Sequence, residues 1–108
     1  MTKRTKTIKA MLYKLRADMP PLLPVRVYVR ERINEENWLG ACSLKQRDGK
    51  PSHFVIELRK GSNQTMFDTL MHEWAHAVAW RHGHETVSDH DPEWALAYSR
   101  IYQLLVDA

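Results

Sequence analysis

One cysteine, Cys42, stands in the whole chain. It cannot close an internal disulfide, which agrees with a reducing compartment. Long apolar runs are missing too, and nothing approaches the roughly 20 residues that span a bilayer. The N-terminus, Met1-Thr2-Lys3-Arg4-Thr5-Lys6, is basic, but no apolar signal-peptide region follows it. The expectation is a cytoplasmic protein with no membrane partner. Internal repeats and low-complexity stretches are absent, and 108 residues suit one modest core, so a single domain over residues 1–108 is expected. Acid is absent from residues 1–16, which carry Lys3, Arg4, Lys6, Lys9, Lys14 and Arg16 for a charge of +6. The remainder holds 10 bases and 13 acids, and the chain as a whole is +3. This basic arm has two readings: a solvated helix face, or nucleic-acid contact through residues 3–16.

Apolar residues make up 44% of the chain and four are tryptophan, which marks a folded protein. Taken in order, residues 5–18 read as a helix, with Ile8, Met11, Leu12 and Leu15 on one stripe and lysines opposite. Prolines at 20, 21 and 24 stop it. Val25-Arg26-Val27-Tyr28-Val29-Arg30 alternates apolar and basic residues, the pattern of a strand with one buried face. A polar loop over residues 31–37 leads to a hairpin. Its arms are residues 39–44 and 53–58, and Asp48-Gly49 supplies the turn. Together these suggest a small three-stranded sheet, antiparallel or mixed.

Residues 60–63 break the last strand. Thr65 with Asp68 reads as a capping pair that opens a helix running to about His82 and ending at Gly83. Phe67, Leu70, Met71, Trp74 and Val78 give that helix a broad apolar face, so it is expected to be central. Residues 83–91 are polar. Asp91 as cap and Pro92 at the first helical position open a last helix, with Trp94, Tyr98, Ile101, Leu104 and Leu105 on its apolar stripe. Trp74, Trp80 and Trp94 read mainly as core, Tyr98 and Tyr102 as core with oxyanion stabilisation as the alternative, and Cys42 as a small buried strand residue.

His72-Glu73-Trp74-Ala75-His76 carries the chemistry. Histidines four apart on a helix project from the same side, one turn above the other. Their imidazoles can share a metal ion, and zinc is the usual occupant. The intervening glutamate need not ligate and can take a proton from a water that the metal activates. A catalytic zinc needs a third protein ligand and an open position. His82 is six residues past His76, but an unbroken helix through Ala79 would turn it about 120° away. His84 lies just beyond the expected helix end. His90, ahead of the marked start of the last helix, is the favoured third ligand. Glu93 or Asp91 is the runner-up, and Asp89 and Asp91 can also accept hydrogen bonds from imidazole N–H groups.

These residues resemble the SprT-like zinc metalloproteases, the group that includes the protease domain of Spartan, an enzyme that cleaves proteins crosslinked to DNA. The resemblance covers about residues 38–102. It runs through Leu39-Gly40-Ala41-Cys42-Ser43, then Phe54-Val55-Ile56-Glu57-Leu58, then His72-Glu73-Trp74-Ala75-His76-Ala77. It closes with His90-Asp91-Pro92-Glu93-Trp94 leading into Arg100-Ile101-Tyr102. It implies that His72, His76 and His90 bind Zn2+ and that Glu73 is the catalytic base. It also implies a minimal zincin-like α+β fold: an N-terminal helix, a small three-stranded sheet, a central HExxH helix and a C-terminal helix. Asp91 departs from the glycine usual after the third histidine. A zinc ribbon, frequent in the family, is not expected in residues 1–108.

The reading is a zinc metalloendopeptidase acting on a protein or peptide, with DNA-associated proteins as one substrate class. Strand residues 53–58 are expected to offer an edge along which an extended substrate aligns. The alternative is a non-catalytic, zinc-stabilised module that contacts DNA or protein through its basic N-terminal segment.

Overall fold

A computed structural model describes residues 7–33, 38–80 and 92–106, in the order α1 (Ile8–Asp18), β1 (Val25–Arg30), β2 (Gly40–Arg47), β3 (Lys50–Arg59), α2 (Asn63–Ala79) and α3 (Pro92–Leu105). This is the expected α+β order. Thr7 caps α1, its hydroxyl accepting from the Ala10 N–H at 3.0 Å. The predicted stripe faces inward, with Met11 and Leu15 buried and Ile8 and Leu12 packed beside them. Arg16 is not wholly a solvated charge, because its guanidinium donates to the Val25 carbonyl at 2.9 Å.

The three strands form one mixed sheet in the order β1-β3-β2, with β1 parallel and β2 antiparallel to β3. Asp48 and Gly49 both have positive φ, 54° and 76°, the geometry of a two-residue hairpin turn that matches strand twist. The arms are longer than expected, reaching Arg47 and starting again at Lys50. One expectation fails here: residues 53–58 are not an edge. They lie in the central strand, with Ile56 opposite Val27 on one side and Cys42 on the other. The edges are β1 and β2. The alternation in β1 also buries less than its pattern suggests. Val25 is 7% exposed and Val29 is 48% exposed, as the strand runs out past the core.

Phe54, Ile56 and Leu58 turn one face of the sheet toward α2, where Leu70, Met71, Trp74 and Ala75 meet them in the core. Each of the Phe, Ile, Leu and Met side chains contributes about 1.5–3 kcal/mol by leaving water. The Trp74 indole N–H donates to the Met19 carbonyl at 2.8 Å, which ties the back of α2 to the end of α1. Helix α3 packs on α2 through Trp94, Ala97, Ile101 and Leu105. Among the described residues, no helix is long and apolar enough to cross a membrane.

Both predicted ends of the central helix move. Ser62, not Thr65, is the N-cap: its hydroxyl oxygen accepts from the Thr65 N–H at 3.2 Å and its O–H donates to Thr65 Oγ1 at 2.9 Å. The helix stops at Ala79, because Trp80 takes extended backbone (φ −64°, ψ 127°) and packs edge-on against Phe54 at 5.5 Å. A tertiary contact therefore ends a helix that local propensity would continue.

Candidate metal centre

His72 and His76 stand one turn apart on α2, and their Nε2 atoms lie 3.2 Å from each other. Two nitrogens on one tetrahedral zinc, each about 2.05 Å from the ion, would sit about 3.3 Å apart. The donor set and its spacing therefore fit a zinc ion. A Glu73 carboxylate oxygen completes a group whose atoms all lie within 4.8 Å of one another. His76 and Glu73 are each 8% exposed and His72 is half-buried, so the group is largely withdrawn from solvent while lining the cleft.

Three elements build the surround. Trp94, at the start of α3, donates its indole N–H to the His72 carbonyl at 3.2 Å. Its ring centroid is 5.0 Å from that of His72 and 5.7 Å from that of His76. Tyr98 stacks behind it at 5.1 Å. The expected core role of Trp94 holds, and it also braces both imidazoles. On the other side, β2 brings Gly40 and Cys42 against the Thr69–Glu73 turn of α2. Between these walls lies a cleft of about 940 Å³, with the histidines and Glu73 among its lining residues and Trp38 and Tyr98 on its sides.

The cleft perturbs two groups. Burial, and then the Glu73 carboxylate, push the Cys42 thiol up to about 12. Burial, and then Asp68 and Tyr102, raise the Tyr98 phenol above its usual value. Tyr98 therefore stays a hydrogen-bond donor at neutral pH. Tyr102 is 43% exposed and does not line the cleft.

Among the described residues, His72, Glu73 and His76 form the group that could hold a metal, and Glu93 in the first turn of α3 does not join it. His90, His82, His84, Asp89 and Asp91 lie outside the described residues, as do Lys3, Arg4 and Lys6. The geometric reason for setting His82 aside falls, since α2 ends at Ala79. Sequence patterning misses Gly40, Thr69 and Trp38 as cleft residues. A signal for Gly40 exists, because glycine inside a strand pattern marks close backbone approach.

Residues 13–107 match the sequence pattern of the SprT-like family. The chain belongs to the SprT-like family. No curated protein and no solved structure matches it. SprT-like membership accords with a metallopeptidase-like domain, and the His72-Glu73-His76 group could hold a metal ion.

Proposed function

We propose that this SprT-like chain is a zinc-dependent metallopeptidase that hydrolyses peptide bonds. The observation that carries the reading is the 3.2 Å convergence of the His72 and His76 Nε2 atoms beside the Glu73 carboxylate in an open cleft. His72 and His76 would hold the ion with His90 as third ligand. Zinc, when bound there, supplies Lewis-acid polarisation of the scissile carbonyl and a lowered pKa for water. Glu73 takes the proton of the attacking water and passes it to the leaving amine. Tyr98, which lines the cleft, would donate a hydrogen bond toward developing negative charge. Edge strand β2 replaces β3 as the element along which an extended substrate pairs, because it lines the cleft and, among the described residues, has one ladder side unpaired.

The test is cleavage of an unfolded protein by zinc-loaded wild type and by Glu73→Gln, with and without DNA. We expect Glu73→Gln to bind zinc normally and to lose about 10²–10⁴ in rate. Undiminished cleavage by that variant refutes the mechanism. Stimulation by DNA that is lost on reversing Lys3, Arg4, Lys6 and Lys9 supports DNA-associated substrates. Zinc-dependent folding and DNA binding with no cleavage of any substrate supports the binding module instead.

A further inference from the structure

We infer that Gly40 is a positioning residue for Glu73: its missing side chain lets edge strand β2 close onto the turn of α2 that carries Thr69 and Glu73. For its catalytic consequence this rests on the peptidase reading, but its geometry does not depend on that reading. Gly40 is the first residue of β2, opposite Leu58 of β3, and its bare side faces α2. A Cβ built there would overlap Thr69 Cγ2 and would lie 3.3 Å from Glu73 Cγ and 3.2 Å from the Glu57 carbonyl oxygen. Thr69 and Glu73 are four apart, one above the other on the same face of α2.

Glycine is not needed here for conformation. Among the described glycines, positive φ belongs to Gly49 and not to Gly40. Nor is the bareness general. Around Gly61 a Cβ would meet nothing nearer than 3.9 Å. What Gly40 provides is space, and its neighbours give none back. Thr69 is β-branched, and its Oγ1 donates to the Thr65 carbonyl at 2.7 Å, so its Cγ2 cannot swing away without breaking that bond. The Glu57 oxygen is backbone of the central strand. A methyl group at position 40 must therefore separate β2 from α2 or displace the turn of α2 that carries Thr69 and Glu73, and the Glu73 Cγ has to give with it. Glycine here sets the distance from the edge strand to the base and constrains where the Glu73 side chain lies.

Thr69→Ser removes the overlapped methyl and keeps the hydroxyl, which makes a rescue experiment available. The proteins are zinc-loaded wild type, Gly40→Ala, Thr69→Ser and Gly40→Ala/Thr69→Ser. The readouts are NMR couplings that report the Glu73 χ1 rotamer, zinc affinity by chelator competition, and kcat on an unfolded protein. In Gly40→Ala we expect shifted Glu73 couplings, unchanged zinc affinity and a kcat lower by about 10- to 100-fold, the scale of a misplacement near 1 Å. Adding Thr69→Ser should return the couplings toward wild type and recover most of the lost kcat. Unshifted couplings in Gly40→Ala, or a shift that Thr69→Ser does not reverse, overturns the inference. If neither Gly40 variant folds, the wild-type spectrum decides: a missing cross-relaxation peak between the Gly40 α-protons and the Thr69 methyl overturns it, and its presence upholds the contact. Couplings that respond as stated in a wild type that cleaves nothing would sink the peptidase reading and leave the positioning role standing.

Discussion

Replacing Trp94 should loosen the metal site without touching a metal donor. The side chain is 7% exposed and its indole N–H donates to the His72 carbonyl at 3.2 Å. Its ring lies against both imidazoles, with centroids 5.0 and 5.7 Å away. Trp94→Phe keeps an aromatic ring and loses the N–H. The lost hydrogen bond is worth about 0.5–1.5 kcal/mol, and the space left by the smaller ring adds about 1 kcal/mol. A loss near 2 kcal/mol lowers Tm by about 8–16 °C in a domain of this size. Trp94→Ala loses about 3–5 kcal/mol, a large part of the 5–15 kcal/mol that holds a typical fold together. The phenylalanine variant is therefore the interpretable one. Loss of a group that orients ligating histidines weakens metal binding by about 10- to 100-fold. Chelator competition measures that directly, and thermal melts with and without zinc check it, since tenfold weaker binding removes about 1.4 kcal/mol of zinc-dependent stabilisation. A Trp94→Phe protein with lower Tm and wild-type zinc affinity would reduce Trp94 to packing and refute the bracing argument.

Three further outcomes are expected. His90→Ala should abolish tight zinc binding and change the absorption spectrum of the cobalt-substituted protein, whereas Glu93→Ala should leave both intact; the reverse result would move the third ligand to α3. The Cys42 thiol, pushed up from 9.0 to about 12, holds its proton more tightly folded than unfolded. Its contribution to stability is therefore full below pH about 9 and falls as pH rises toward 12, so urea melts at pH 10 should show a loss that Cys42→Ala lacks. Trp74→Phe, which orphans the Met19 carbonyl, should cost about 1–3 kcal/mol in urea melts while the zinc-loaded protein keeps its affinity for the ion.

Patterns local in sequence were legible. The alternation of Val25–Arg30, the Asp48-Gly49 turn and the apolar face of the HExxH helix each specify their element through a few neighbouring residues. What the sequence hid was set by distant contacts. Helix α2 ends at Ala79 because Trp80 packs on Phe54, a partner 26 residues back, and no short-range rule reports that. The placement of residues 53–58 at an edge had a warning in the run Phe54-Val55-Ile56. Consecutive apolar residues mark a strand covered on both faces, and Val55 is 9% exposed on the side away from α2. The two histidines and Glu73 were readable because four-residue spacing on a helix is itself a geometry. Gly40 carried only the weak signal of a glycine inside a strand pattern, and the contact of Trp94 with the histidines carried none, because both roles depend on which strand and which helix come to lie beside that turn.

That division says how so small a chain makes a site. Donors one turn apart can occur on many helices, and they alone do not hold a carboxylate, an edge strand and two imidazoles in one arrangement. Here the aim comes from outside the motif: from Trp94, 22 residues after His72, and from Gly40, pressed against Glu73 from the edge strand. Helix α1 and strand β1 contribute no residue to the cleft wall. Substitutions in α3 or β2 should therefore change kcat or zinc affinity at stabilities where the fold is intact, while substitutions of equal severity in α1 or β1, such as Leu15→Ala or Val25→Ala, should lower Tm and leave the folded protein's kcat unchanged. A matched loss of kcat per folded molecule from the α1 and β1 variants would show that the arrangement is a property of the whole core rather than of the two walls that touch it.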